Sequence, residues 1–432
     1  MAQKLQSSIQ TAAIEGRLYS KGKEYLTRKL DYLLGRLYRY RWTKKMKVDP
    51  EQIMFITFQG DYTCNPKYIA EELRKRGANY KIVWSARREA LYNQSFPKEF
   101  RLVEQYTADF YRELGRSKLV VANSVEFQKL LSAKKKDQCW IQTWHGSLGI
   151  KRFDAARNNG REWIAAAKRV GKLTDYIISD STFENAVYRE TFWPKTKILE
   201  YGHPRNDILV NRSDALQAEM RQKVLRFIRA QAQVTTAVPT GLNRTDASAG
   251  TEENEVFRYV LYAPTFRDNH LLDPYTLDYE RLRAALSKRF GGTWKVLVRL
   301  HSTVREREGA FRCSENVIDL TDYPDIQEIL LAADAAVTDY SSWIFDWLLT
   351  GKPGFIFATD TGSYDRERGL YFPLSDTPFP IAEDNDELES SILQFDEALY
   401  ETNVAAFLKD KGCFERGDAA GRTADLIETI MK

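Results

Sequence analysis

The sequence predicts an α/β protein: two Rossmann-like doubly wound domains facing a cleft, with a basic amphipathic N-terminal helix. Three observations lead there. Short apolar runs alternate with segments of helical spacing along most of the chain, the pattern of a parallel sheet covered by helices. The alternation lapses once, from Arg229 to Asn254, and then resumes. In both halves an apolar run ends in a turn rich in His, Arg or hydroxyl residues, where an open sheet binds its ligand.

Composition agrees. A chain of 432 residues favours two or three domains, and 43% hydrophobic with 29% charged residues describes a soluble globular protein with material for real cores. The net charge of +4 gives no argument for nucleic acid. Cys64, Cys139, Cys313 and Cys413 are scattered without CxxC spacing, which argues for free thiols and against a zinc site. No apolar run approaches the ~20 residues of a membrane span, and the polar N-terminus lacks a signal-peptide core. Cytoplasm is therefore the expected compartment.

The elements follow in order. Residues 1–48 form an arm. From Arg17 to Lys47 there are eleven Lys or Arg against Glu24 and Asp31, a local charge of +9. Leu26, Leu30, Leu33, Leu34 and Leu37 make one apolar face, and Tyr25, Tyr32, Tyr38, Tyr40 and Trp42 add amphipathic rings. Such a helix suits an anionic bilayer surface, although a helix packed on its own protein would look alike.

Residues 49–228 form the first α/β domain. Strands are expected at Ile53–Phe58, Ile82–Trp84, Leu119–Ala122, Cys139–Trp144, Tyr176–Ser179 and Ile198–Tyr201. After the first comes Asn65 as a helix N-cap with Pro66 at the first helical position. Residues 229–255, rich in Gln, Thr, Ala, Ser and Gly, read as a flexible linker or insertion. Residues 256–412 form the second domain, with strands at Tyr259–Ala263, Lys295–Leu300, Ala335–Thr338 and Gly354–Ala358. A terminal helix occupies 413–432, from about Thr423 to Met431.

The most informative stretch runs from Thr321 to Phe357. Ile326, Ile329, Leu330 and Ala333 have helical spacing, Ala335–Thr338 suits a buried parallel strand, and Ile344, Leu348 and Leu349 mark a second helix ended by Gly351 and Pro353. Between strand and helix sits Thr338-Asp339-Tyr340-Ser341-Ser342. Hydroxyls and backbone N–H groups at a helix N-terminus favour phosphate. Ser and Asp are also ordinary N-caps, so spacing leaves both roles open.

Other groups point to the same chemistry. His145 and His301 each end a predicted strand, one in each domain, and imidazole is the side chain best suited to move protons near neutral pH. Arg205, Arg267 and Arg299 lie at strand ends or loops, where guanidinium suits bidentate phosphate contact. Each group taken singly has an ordinary structural role open to it. No carboxylate cluster resembles a hard-metal site, and Gly-rich P-loop and GxGxxG patterns are absent, so neither metal nor cofactor is expected.

The motifs together resemble the CDP-glycerol glycerophosphotransferases, the primases and polymerases of bacterial teichoic acid and related phosphate-containing capsules. The matching stretches are Asn65-Pro66-Lys67-Tyr68, Thr143-Trp144-His145-Gly146 with Lys151 downstream, Gly202-His203-Pro204-Arg205-Asn206-Asp207, Tyr262-Ala263-Pro264-Thr265-Phe266-Arg267, Arg299-Leu300-His301, Tyr323 with Asp325-Ile326, Thr338 to Ser342 with Phe345-Asp346, and Gly351-Lys352-Pro353. They span about Ile53 to Gly369. Three features depart: Ser302 stands where proline is usual after His301, His203 stands where an aromatic is common, and 229–254 looks like an insertion.

The resemblance implies a GT-B-like fold, with CDP-alcohol held by the second domain and the acceptor presented by the first. It implies transfer of glycerol phosphate from CDP-glycerol to a hydroxyl of a lipid-linked saccharide or polymer acceptor, with release of CMP. His145 then fits the general base. His301 and Arg299 fit stabilisation of the diphosphate or the leaving CMP, and Thr338, Ser341 and Ser342 the phosphate cradle. Lys151, Arg205, Arg267 and Asp325 fit substrate contacts, and Asp339 caps a helix or binds an alcohol hydroxyl. A lipid-linked acceptor gives the basic arm a purpose, placing the enzyme peripherally on the cytoplasmic face of the membrane. A CDP-ribitol transferase or a nucleotide-sugar glycosyltransferase would share these motifs. An inactive membrane-bound scaffold is a different class, and the two histidines with the Ser pair argue against it.

Overall fold

The structure is a computed structural model that describes residues 41, 43, 45–92, 96–125, 134–147, 149, 152, 160–236, 257–265, 275–300, 313–362, 364 and 369–432. Two parallel sheets account for the alternation. In the first domain the strands are β1 (Asp49–Ile56), β2 (Lys81–Ala86), β3 (Arg101–Glu104), β4 (Ser117–Ala122), β5 (Cys139–Gln142), β6 (Tyr176–Ser179) and β7 (Lys197–Glu200). Helices α1 (Cys64–Lys75), α2 (Ala108–Arg116), α3 (Arg161–Leu173) and α4 (Thr182–Glu190) lie between them. Ile53, Met54 and Phe55 are fully buried, because helices cover both faces of a parallel sheet. Thr107 caps α2 and Ser181 caps α4 through their side-chain oxygens.

The sheet order is β3-β2-β1-β4-β5-β6-β7, all pairs parallel. The order reverses between β1 and β4, and the crevice beyond their carboxyl ends is where such sheets bind ligands.

The chain then passes through α5 (Asp207–Val210) and α6 (Asp214–Thr236). Helix α6 belongs to the second domain, because its Met220 and Val224 join that core. It also runs through Thr236, eight residues into the stretch where composition suggested a linker. The apolar positions of α6 already seat it on the second core, which carries the helix past its last good pattern. The rest of that linker (237–255) and residues 1–40 of the basic arm lie outside the described residues.

The second domain repeats the design. Its strands are β8 (Phe257–Tyr262), β9 (Thr293–Val298), β10 (Val317–Asp319), β11 (Ala335–Thr338), β12 (Gly354–Phe357) and β13 (Ile381–Ala382). Helices α7 (Tyr279–Phe290), α8 (Ile326–Ala332), α9 (Trp343–Trp347), α10 (Asn385–Leu393) and α11 (Glu397–Lys411) accompany them. The order β10-β9-β8-β11-β12-β13 reverses between β8 and β11.

After α11 the chain returns to the first domain. Phe414 N–H donates to the Asp180 carbonyl. Helix α12 (Ala419–Met431) buries Ala424, Ile427 and Met431 in the first core, and Arg76 pairs with Asp425. Among the described residues no helix is long and apolar enough to cross a membrane.

Candidate active site

Two turns meet across the cleft, one from each domain. His145-Gly146 follows β5, and Ser341-Ser342 follows β11. A β-carbon placed on Gly146 would stand 3.8 Å from Ser342 Oγ, so the two turns lie within ordinary van der Waals reach of each other. His145 is exposed at the edge, and its Nδ1 lies 2.6 Å from the carbonyl oxygen of Asn123. A carbonyl can only accept, so Nδ1 carries a proton, and in the neutral ring the lone pair is on Nε2. That is the tautomer a general base needs.

The backbone is arranged to present this ring. Trp144, the residue before it, is non-glycine yet adopts φ 53°. Asn65 holds it there: its side-chain amide donates to the carbonyls of Thr143 (2.9 Å) and Trp144 (3.2 Å) and accepts from the Arg205 N–H (3.1 Å). The cap of α1 is Thr63, not Asn65, which lies inside the helix with Pro66. The sequence offered Asn65 a local role because its true partners lie 78 to 140 positions away.

In the second domain the loops after β8 and β11 are bound together at the reversal point. Thr338 Oγ1 and Trp343 Nε1 both donate to the Ala263 carbonyl, at 2.8 and 3.0 Å. Asp339 Oδ1 accepts from the N–H groups of Thr265 (2.8 Å) and Tyr340 (2.6 Å). Thr338 and Asp339 thus build the turn, and Asp339 does not cap α9, whose N-cap is Ser342. Ser341 and Ser342 are half-buried at the cleft, the pair positioned to meet a ligand.

The arginines divide. Arg205 is buried and committed: its guanidinium meets Asp346 at 3.1 Å, Ser147 Oγ at 3.0 Å and Cys64 Sγ at 3.4 Å. It joins the domains, with Asn206 and Gln327 also donating to Asp346. Arg299 is different. Its Nε is buried without a hydrogen-bond partner, and Nη2 makes only a 3.4 Å contact with the Tyr323 carbonyl. Burial pushes its pKa down, against the attraction of Asp325 and of Asp61 in the first domain. A half-buried guanidinium with a buried, unpartnered Nε between the domains is what an anionic ligand requires.

Asp325 caps α8 by accepting from the Gln327 N–H and also takes Lys67 and Tyr68 of α1, so its oxygens serve the domain junction. Lys151, Arg267 and His301 lie outside the described residues.

A group that the sequence did not suggest sits behind the His145 turn. Asp180, His203 and Glu415 come within metal-ligand reach of one another, from three separated segments. The donors around them are already used. Glu415 accepts from the His203 N–H and the Asn206 amide, Asp180 from Ser181, and His203 Nδ1 lies 2.9 Å from Ser147 Oγ. Burial, reinforced by Glu184, raises Asp180 to about 7, and burial raises Glu184 to about 7. Burial lowers His203 to about 4. The cluster reads as a buried, hydrogen-bonded support for the loop.

The comparisons with known proteins agree with this architecture. Residues 37–429 match the family model described as CDP-Glycerol:Poly(glycerophosphate) glycerophosphotransferase. The teichoic acid poly(glycerol phosphate) polymerase of Staphylococcus epidermidis is 29% identical over 405 residues, covering 90% of this chain and 52% of that protein. The Bacillus subtilis protein of the same name is 24% identical over 432 residues, covering 96% and 53%. The chain therefore spans about half the length of these two relatives. Among solved structures, a variant of the wall teichoic acid polymerase TagF superposes with a TM-score of 0.74 at 27% identity, covering 94% of this chain and 98% of that one. Another TagF variant, soaked with CDPG, gives the same TM-score and identity. With the paired parallel sheets, the facing turns and a family match over nearly the whole chain, this protein belongs to the CDP-glycerol:poly(glycerophosphate) glycerophosphotransferase family.

Proposed function

We propose that this chain transfers glycerol phosphate from CDP-glycerol to a hydroxyl of a lipid-linked acceptor in teichoic acid or capsule polymer synthesis, releasing CMP. The observation that carries the reading is the contact of His145 Nδ1 with the Asn123 carbonyl, which in the neutral ring leaves the lone pair on Nε2, opposite the Ser341-Ser342 turn. The first domain takes the acceptor and the second, which includes α6, the CDP-alcohol.

In the reaction, the acceptor oxygen attacks the phosphorus that bears glycerol, and its proton passes to His145 Nε2. The bond from that phosphorus to the bridging oxygen breaks, and CMP leaves with the electron pair. Ser341, Ser342 and Arg299 face the diphosphate and the charge that develops on it. His301, Arg267 and Lys151 join them on the strength of the family motifs. The basic arm (1–48) attaches the enzyme peripherally to an anionic membrane on its cytoplasmic face. If a chain starting near Val48 sediments with anionic vesicles as the full chain does, the arm has no such role.

A donor screen tests the reading. Purified protein is offered CDP-glycerol, CDP-ribitol and UDP-sugars with a lipid-linked acceptor, and CMP or UDP release is measured. CMP release from CDP-glycerol, lost by ~10²-fold or more in His145→Ala, is expected. Preference for CDP-ribitol or a UDP-sugar overturns the donor assignment, and no turnover with any donor points to a scaffold.

A further inference from the structure

The imidazole of His145 stacks on Phe58, with ring centroids 5.5 Å apart and planes 9° from parallel. One residue fixes both partners. The main-chain carbonyl of Asn123 takes the His145 Nδ1–H, and its side-chain oxygen accepts the Phe58 N–H at 2.7 Å. Phe58 follows β1 and Asn123 follows β4, the strands between which the first sheet reverses its order.

The turn that carries Phe58 is firmly seated. Gly60 adopts φ +75°, and a β-carbon there would come within 2.4 Å of the Arg87 nitrogen, so the turn lies directly on the end of β2. Thr57 Oγ1 donates to the Asp61 carbonyl at 2.7 Å, and the Gln105 amide donates to the Thr57 carbonyl at 3.3 Å. Yet Phe58 is 37% exposed and outside the packed cores. The backbone is thus tied down to hold a ring that buries little and leans on an imidazole.

We propose that Phe58 is a positioning residue for His145, an inference that rests on the reading of His145 as the general base. The Nδ1–H···O bond fixes one point of the imidazole. Stacking on Phe58 constrains the tilt of the ring about that point, with Trp144 on a centroid 4.5 Å away adding to the constraint. Nε2 is then held in line for the acceptor's proton. Misplacing a reacting group by about 1 Å costs up to ~10²-fold in rate, which is the scale such a support controls.

The test compares Phe58→Ala and Phe58→Leu, which remove the flat ring, with Phe58→Tyr, which keeps it. The first two are expected to lower kcat about tenfold or more with KM for CDP-glycerol changed by less than about twofold, and the third to restore most of the rate. Because Phe58 lies outside the cores, thermal melting should be nearly unchanged in all three. A second readout needs no turnover. The chain has four histidines, so long-range ¹H–¹⁵N spectra of ¹⁵N-histidine protein can follow the His145 ring. A single Nδ1–H tautomer is expected in the wild type and a tautomer mixture in Phe58→Ala. Unchanged kcat and spectrum in Phe58→Ala overturn the proposal. So does a loss confined to KM for the acceptor, which makes Phe58 an acceptor contact. His145→Ala distinguishes the levels: if it turns over normally, the base reading falls and takes this inference with it. If it is inactive while Phe58→Ala is normal, only this inference falls.

Discussion

Lys67 Nζ, on α1 of the first domain, lies 2.5 Å from Asp325 Oδ2 and 2.7 Å from Glu328 Oε1 on α8 of the second. Burial lowers the pKa of this amine, but the two carboxylates outweigh burial and hold it above its ordinary value. The charge is therefore present at every physiological pH, and it pins one domain to the other. Removing one partner of a buried pair leaves the other uncompensated and costs about 3–5 kcal/mol. Lys67→Met is expected to fall at the lower end of that range, because Tyr68 still reaches Asp325 and Lys223 still reaches Glu328. Urea denaturation measures it, and a change below about 1 kcal/mol would show that the junction is held elsewhere.

The cluster behind the His145 turn predicts a pH dependence. Folding raises Asp180 and Glu184 to about 7, so between about pH 4.5 and 7 the folded state holds protons that the unfolded state has released. Stability from these groups is present at low pH and is lost as pH rises through 7. His203, lowered to about 4, acts in the opposite sense between about pH 4 and 6.5. Two carboxyls outweigh one imidazole, and Glu415, raised well above its ordinary value by burial, adds to their side. Glu184→Gln removes one titrating group and also the charge that helps raise Asp180. Its melting temperature should therefore decline less between pH 5 and 7.5 than that of the wild type. An equal or steeper decline in scanning calorimetry contradicts the assignment.

These two relationships show what a sequence can and cannot carry. The interior strands were legible because burial on both faces leaves a continuous apolar run, as in Ala335–Thr338. The strands that escaped, β3, β10 and β13, are edges of their sheets, two to four residues long, and two of them end in Glu104 and Asp319. An edge is half solvated, so its pattern is weak. The placement of His145 and of the Ser341-Ser342 turn just beyond strand ends was legible from their position after apolar runs. Arg205 was not legible as an interdomain partner, because Asp346 lies 141 positions away. Thr338 looked like a ligand hydroxyl for the same reason: its acceptor, the Ala263 carbonyl, is supplied by a neighbouring strand end.

Asn65 makes a third prediction. Its amide serves the carbonyls of two strand-end residues and its oxygen serves Arg205, all in the interior. Asn65→Ala leaves these groups unsatisfied, at about 1–3 kcal/mol. It also releases Trp144 from its left-handed backbone, which shifts the adjoining His145. Loss of kcat should therefore exceed what partial unfolding explains, when the rate is corrected for the folded fraction measured by circular dichroism. Full corrected activity would confine Asn65 to stability.

Ser341 and Ser342 stand at the cleft with hydroxyls, while Thr338 and Asp339 beneath them are spent on backbone groups. Changing both serines to Ala should weaken donor binding by at least about 10-fold, the cost of losing one or more hydrogen bonds to a charged group. Melting should scarcely change, since neither hydroxyl supports the turn. Titration calorimetry with CDP-glycerol decides it: donor affinity equal to that of the wild type removes both serines from the cradle. Thr338→Val makes the contrast, since it should lower stability by about 1 kcal/mol by removing one of the two hydrogen bonds to the Ala263 carbonyl, which keeps the Trp343 Nε1–H.

Arg299 sets stability against function. A half-buried guanidinium with an orphaned buried Nε is a cost to the empty protein, and burial pushes its pKa down in the same sense. Replacing a poorly compensated buried charge with an apolar side chain of similar length is often neutral or stabilising by about 1–4 kcal/mol. Arg299→Met should accordingly melt no lower than the wild type in the absence of donor. The same change removes the cation proposed to meet the diphosphate, whose charge-assisted bonds contribute about 1.5–3 kcal/mol each. Donor affinity should fall at least tenfold, and the stabilisation that CDP-glycerol gives the wild type in a thermal shift should largely disappear. A variant that melts lower than the wild type yet keeps the donor-induced shift would make Arg299 a structural cation and leave the diphosphate to other groups.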